Sequence, residues 1–204
     1  MIKTIASMCL SLVSVGVFAQ ADDVDQLMEV LQRIGSMQGE FRQTQYDESD
    51  MLVGESNGNF RLLRPGYYAW EIQSPDSQLI IADPQYIWHH DRDLETVTQR
   101  PVDDSEQMSP MQVLGGDEAL LRRSYAVEKI SDNSYTMSPM GVSPRFKRLS
   151  VEFQSADFKT LEIVDNLNQR IVISFDNINS EATLTPDDFV FSAPAGADFF
   201  NYEQ

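Results

Sequence analysis

Phe60-Arg61-Leu62-Leu63-Arg64-Pro65-Gly66-Tyr67-Tyr68-Ala69-Trp70-Glu71-Ile72 is the stretch that decides the fold class. Phe60 and Leu62 alternate with Arg61 and Leu63. Tyr68, Trp70 and Ile72 alternate with Tyr67, Ala69 and Glu71. A period of two is the signature of a strand with unlike faces. Arg64-Pro65 falls between the two runs, where proline interrupts a ladder, so the stretch reads as two strands and a turn.

The same period continues outward. Leu79 to Ala82 is a short apolar run, and Tyr86 and Trp88 share one face while Ile87 and His89 share the other. Leu94 to Val102, Tyr125 to Ile130 and Ser134 to Met137 are further strand candidates, and Leu149, Val151 and Phe153 alternate cleanly. Leu161 to Val164 and Arg170 to Phe175 flank Asp165-Asn166-Leu167-Asn168-Gln169, a hairpin turn by composition. Phe189 and Phe191 mark a last strand. Helical spacing occurs at three places. Asp22 to Ile34 carries Val24, Leu27, Met28, Leu31 and Ile34 on one face and stops at Gly35. Ser109-Pro110 opens a short piece bearing Met111, Val113 and Leu114, and Asp117 to Arg123 gives another turn or two. The expected fold is therefore mainly β with a few helices (α+β): one curved antiparallel sheet with helices laid over one side. A packed sandwich has the same pattern, and a partial helical cover over an apolar hollow is the alternative.

The chain has 204 residues and a formal net charge of −17. That balance opposes binding to a nucleic-acid backbone and to anionic lipid surfaces, and it favours a monomer. Lys3 is the only charge in residues 1–21, and an apolar run from Ile5 to Phe18 ends in Val17-Phe18-Ala19 and Ala19-Gln20-Ala21. These features predict a signal peptide over 1–21, cleaved at either small-residue site, and a single domain over 22–204. Cys9 is the only cysteine and follows Met8, a poor context for lipidation, so the mature chain has no thiol. No later segment is long and apolar enough to span a bilayer, so no stable membrane insertion is expected.

No catalytic constellation emerges. His89 and His90 point to opposite faces of a strand; His89 and Asp91 share one, with no third ligand to complete a metal site. Phosphate loops, nucleophile elbows and zinc-protease motifs are missing, so neither an enzyme nor a cofactor is expected. Tyr67, Tyr68, Trp70, Tyr86 and Trp88 form a dense aromatic cluster, which suits either core packing or an apolar ligand surface.

The combination Leu63-Arg64-Pro65-Gly66-Tyr67-Tyr68-Ala69-Trp70-Glu71, Gln78-Leu79-Ile80-Ile81-Ala82-Asp83, Ile87-Trp88 and Asp91-x-x-Leu94-Glu95-x-Val97-Thr98 resembles the LolA family of periplasmic lipoprotein carriers. Phe41-Arg42-Gln43, taken as the end of the first helix, and Phe189-x-Phe191-x-x-Pro194-x-Gly196 extend the likeness. The resemblance implies an unclosed β-barrel with helices as a lid over an apolar cavity. It implies acylated lipoproteins as cargo, an inner-membrane ABC-type release complex as donor, and a LolB-like outer-membrane acceptor. Arg64 corresponds to the family's latch and Tyr68 to a residue that handles ligand. Trp70, Ile81, Trp88, Met111 and Leu114 complete the expected acyl-binding set. Periplasmic location follows from the same likeness. The alternative is a LolA-like domain that acts as an acceptor or sensor for other apolar ligands.

Overall fold

The computed structural model describes residues 19–102, 115, 118–141, 144, 146–155 and 157–202, without the side chains of 19–22 and 120. Helix α1 spans Ala19–Arg33. It begins earlier than the spacing suggests and buries the expected face: Val24, Leu27, Met28, Leu31 and Ile34 all lie in the main core. Strands β1 (Ser36–Tyr46), β2 (Leu52–Leu63), β3 (Tyr67–Ser74), β4 (Gln78–Ala82), β5 (Tyr86–Asp91) and β6 (Thr96–Pro101) follow as an antiparallel meander. Helix α2 (Glu118–Ser124) leads into a second meander of β7 (Tyr125–Ser131), β8 (Ser134–Pro139), β9 (Phe146–Gln154), β10 (Asp157–Asp165) and β11 (Arg170–Asn179). β1 pairs with β11, which fuses the meanders into one 12-stranded sheet in the order β12-β6-β5-β4-β3-β2-β1-β11-β10-β9-β8-β7. β7 and β12 are its two edges, so the barrel stays open.

Curvature comes from irregular register. The ladder slips at Gln38/Glu40 against β11 and at Asn57/Gly58 against β3. Bulges of this kind bend and twist a sheet. The concave face meets α1. The convex face is crossed by the chain after β11, and this arrangement corrects the expected last strand. Phe189 ends a 3-10 turn, Pro186–Phe189, because Pro186 sits at its start and Asp188 closes a capping box on Thr185. The terminal strand is instead β12 (Asp198–Asn201), which adds parallel to β6. Phe41-Arg42-Gln43 is likewise strand rather than helix end: it lies mid-β1, paired to both β2 and β11.

The edges are protected differently. At β7, the Asp23 carboxylate of α1 accepts a hydrogen bond from the Lys129 backbone N–H at 3.1 Å, occupying a donor that an incoming strand would use. At the other end the edge is kept short: β12 has only four residues and pairs along β6. Among the described residues no helix is long and apolar enough to cross a membrane.

Candidate functional site

The concave face carries a continuous row of aromatic rings. Trp70 of β3 stacks on Phe41 of β1, with centroids 3.6 Å apart and planes 23° apart. These residues come from strands that are not neighbours. β2 runs between them, and the residue it places opposite Phe41 is Gly58. Any Cβ at Gly58 would lie 1.8 Å from the Glu71 carbonyl oxygen, so only glycine lets the strands approach closely enough for the rings to meet. The row continues from Phe60 to Phe175 (5.1 Å), Phe175 to Phe158 (5.7 Å), Phe158 to Phe153 (5.4 Å) and Phe153 to Tyr135 (6.2 Å). Gly39 has the Gly58 role one strand over: a Cβ there would meet both Asp176 O and Phe60 Cε1 at 3.0 Å. The result is an aromatic floor from β3 to β8, with aliphatic neighbours Leu62, Leu161, Ile163 and Ile173.

The cover is pinned at identifiable points. Arg64-Pro65-Gly66 forms the β2–β3 turn, with a cis Arg64-Pro65 bond and Gly66 at φ +86. The Arg64 backbone N–H donates to Gly35 O, just past α1, at 2.9 Å; the Gly66 N–H donates to Gly115 O at 2.8 Å. One turn thus holds both the end of α1 and Gly115. Arg64 is half-buried and holds a further interaction besides. Gly115 lies so close to the floor that a Cβ there would reach Leu62 Cδ1 at 3.0 Å. The other end of α1 is held by polar contacts. Gln26 Oε1 accepts from Lys129 Nζ at 2.9 Å, and Arg122 of α2 bridges Asp25 and Glu118. These carboxylates raise the Arg122 pKa, chiefly through the hydrogen bond to Asp25. Nearby on β7, burial pushes the Tyr125 phenol up to about 12, so it stays neutral against Phe146.

The expected site residues divide by face. Tyr68 and Trp70 are buried on the concave side, in the main core. Ile81 and Trp88 are not, which corrects the reading that placed them in the same hollow. Ile81 pairs with Ala69 and Trp88, and all three point to the convex side. There they join Phe189, with Tyr67, Leu184 and Phe191, in a separate cluster under the C-terminal segment. Trp88 approaches Phe191 at 6.2 Å, and Arg61 lies 5.8 Å over the Phe189 ring. Met111 and Leu114 lie outside the described residues. Phe41, Phe60, Phe158 and Phe175 were not anticipated as site residues, although Phe60 opens the decisive stretch. The inner neighbours of Trp70 on β4 and β5 are Ile80 and His89. His89 is exposed and bonded to Gln78 at 3.2 Å. Among the described residues no group of His, Cys, Asp and Glu could hold a metal ion.

Sequence comparison settles the family. The family described as "Outer membrane lipoprotein carrier protein LolA" matches residues 32–192. The chain belongs to the LolA family. A relative named outer-membrane lipoprotein carrier protein in Chromohalobacter salexigens is 30% identical over 183 residues, covering 88% of this chain and 87% of the relative. A protein of the same name in Coxiella burnetii is 29% identical over 187 residues, 89% and 88% of the two chains. In fold, the chain resembles a LolA superfamily protein from Nitrosomonas europaea, with a TM-score of 0.54 at 9% identity over 86% of this chain and 99% of that one. The unclosed sheet with few helices is thus the LolA architecture, and the concave aromatic floor is the surface it places under α1.

Proposed function

We infer that this protein is a periplasmic chaperone that holds the acyl chains of lipoproteins released from the inner membrane and delivers them to an outer-membrane acceptor. The observation that carries the reading is the aromatic floor beneath a helix held at its ends, in a LolA-family chain. A wide apolar surface with few polar anchors suits fatty tails, because apolar burial is non-directional and tolerates varied chains. No bond is made or broken in this role; the protein is a carrier and not a catalyst.

Magnitudes are consistent with competition between α1 and cargo. Fully burying an aliphatic side chain contributes about 1.5–3 kcal/mol, so the apolar face of α1 holds the closed state by roughly 10 kcal/mol. Each acyl methylene contributes about 0.8 kcal/mol, so two or three long chains outweigh the helix and lift it. The bonds from the Arg64–Gly66 turn to Gly35 and Gly115 favour closure and therefore weaken net cargo binding. That opposition is what lets a later acceptor take the cargo. The ABC-type release complex is the donor in this scheme, and a LolB-like protein is the acceptor.

The test mixes purified residues 22–204 with a triacylated lipoprotein dispersed in detergent, removes the detergent and centrifuges. A soluble one-to-one complex is expected. Lipoprotein that pellets as completely with the protein as without it rules out the carrier role.

A further inference from the structure

We propose that the free edge of β12 holds the main chain of the cargo lipoprotein just beyond its acylated end, as an added strand. The inference rests on the carrier reading: when acyl chains lie on the aromatic floor, the polypeptide joined to them must leave the hollow somewhere. The concave face shows where it opens. Towards β7 the face stays dry to the last strand, with Tyr135, Met137, Val127 and Tyr125 all buried. Towards β12 it grows wet. Pairing carries the row outward from Trp70 through Ile80, His89 and Thr98 to Phe200. Trp70 is buried, Ile80 and Thr98 are half-buried, and His89 and Phe200 are exposed. The sheet therefore ends beside the open part of the hollow with Phe199, Phe200 and Tyr202, exposed at 48%, 50% and 61%.

The two edges differ in the same sense. β7 is capped where Asp23 accepts from the Lys129 N–H. Outside β12, among the described residues, no strand lies. Its backbone groups can be assigned. Asp198 N–H donates to Glu95 O and Tyr202 N–H to Gln99 O, at 2.9 Å each, so Asp198, Phe200 and Tyr202 turn their backbone groups to β6. Alternation then turns the N–H and C=O of Phe199 and Asn201 outward. Two donors and two acceptors at strand spacing fit an extended peptide, with Phe199 on its convex side and Phe200 on its concave side. Main-chain pairing does not depend on side chains, which suits a carrier whose cargoes differ in sequence. Charges beside the edge have both signs, Glu95 and Asp198 near one end and Arg100 near the other, so hydrogen bonding and not charge selects the occupant. A second copy is opposed by the −17 charge that each chain carries. A strand of four residues also makes a weak hold, which a carrier needs in order to release.

The experiment titrates the purified protein with two lipopeptides. Both have a triacylated cysteine and about six following residues, the length of an ordinary strand; one has free backbone N–H groups and the other is N-methylated along those residues. Wild type is expected to bind the unmethylated lipopeptide at least about tenfold more tightly, and exchange of the Phe199 and Asn201 amides should slow with that ligand alone. Asn201→Pro removes an outward donor and should bind the two alike. Affinities within about twofold of each other in wild type would overturn the proposal and leave the carrier reading standing. So would a preference undiminished in Asn201→Pro, or slowed exchange that tracks a dimer in sedimentation, which would mark a second copy on the edge. Binding of neither lipopeptide would remove the carrier reading, and this role with it.

Discussion

Replacing Gly58 by alanine tests whether the aromatic floor depends on close strand approach. The added Cβ would lie 1.8 Å from the Glu71 carbonyl oxygen and 2.8 Å from its carbon. Both are backbone atoms, so no side chain can swing aside. Moving the oxygen out to an ordinary contact requires β2 and β3 to separate by well over 1 Å around the bulge. That weakens two or three ladder hydrogen bonds, at about 1 kcal/mol each, and pulls Trp70 off Phe41, an aromatic pair worth about 1 kcal/mol. The expected loss is about 3–4 kcal/mol, a large part of a normal domain's stability, and it lowers Tm by about 10 °C in a chain this size. Gly39→Ala, with 3.0 Å contacts, should cost less. Gly35→Ala, with nothing within 4 Å, should cost almost nothing. Thermal unfolding followed by circular dichroism ranks the three, and near-ultraviolet circular dichroism reports the Trp70 stack. If Gly58→Ala unfolded within about 3 °C of wild type, or if the three variants fell in another order, the packing argument would be wrong.

Further outcomes follow from the same contacts. Arg64→Leu keeps the backbone bond to Gly35 O and removes only the guanidinium, the group that the family resemblance assigns to the latch; it should still load lipoprotein but pass it to the acceptor at least about tenfold more slowly, because closure competes less well with cargo, and transfer at wild-type speed removes the latch role. Asp23→Ala deletes the acceptor for the Lys129 backbone N–H, worth about 1–2 kcal/mol, so α1 amides should exchange roughly 5–30-fold faster with β9–β11 unchanged. Equal exchange across the molecule would show that this contact does not hold the helix. His90 has its pKa lowered, first by burial and then by Arg92, with Asp91 opposing and His89 adding to the shift. Its neutral form is therefore favoured in the fold. The stability it contributes is complete above the unfolded pKa of 6.5 and is lost as pH falls through the lower folded value. Between about pH 8 and pH 5, Tm should drop less in His90→Gln than in wild type; parallel curves would exclude the effect.

How far the sequence reveals this site depends on which faces are wet. The apolar face of α1 is legible because its other face is solvated, and β9 alternates for the same reason. β4 is not legible in that way. Leu79, Ile80 and Ile81 are apolar in succession because Leu79 and Ile81 join the convex cluster under the C-terminal segment while Ile80 packs against the main core on the concave side. With both faces covered, alternation disappears, and choosing residues by apolarity placed Ile81 and Trp88 with Tyr68 and Trp70. Only the pairing Ala69↔Ile81↔Trp88 separates them. Phe41 was hidden by a different cause. Gln43, Thr44 and Gln45 follow it at the wet end of β1, so the strand lacks an apolar pattern. Asn57-Gly58-Asn59 has the composition of a loop, yet its glycine makes the aromatic stack possible. The 3-10 turn at Phe189 was missed because two phenylalanines two apart imitate a strand, while Pro186 and the capping box dictate a turn.

The chain's two tryptophans sit on opposite faces, Trp70 in the concave core and Trp88 in the convex cluster, and so offer a direct reading of where acyl chains go. Trp88→Phe leaves Trp70 as the sole indole, and Trp70→Phe leaves Trp88. Each is loaded with lipoprotein whose acyl chains carry bromine, a contact quencher of indole fluorescence. Strong quenching of Trp70 with Trp88 unaffected is the predicted result. Quenching of Trp88 with Trp70 as bright as in the empty protein would contradict the account, because the fatty tails would then lie on the convex side of the sheet.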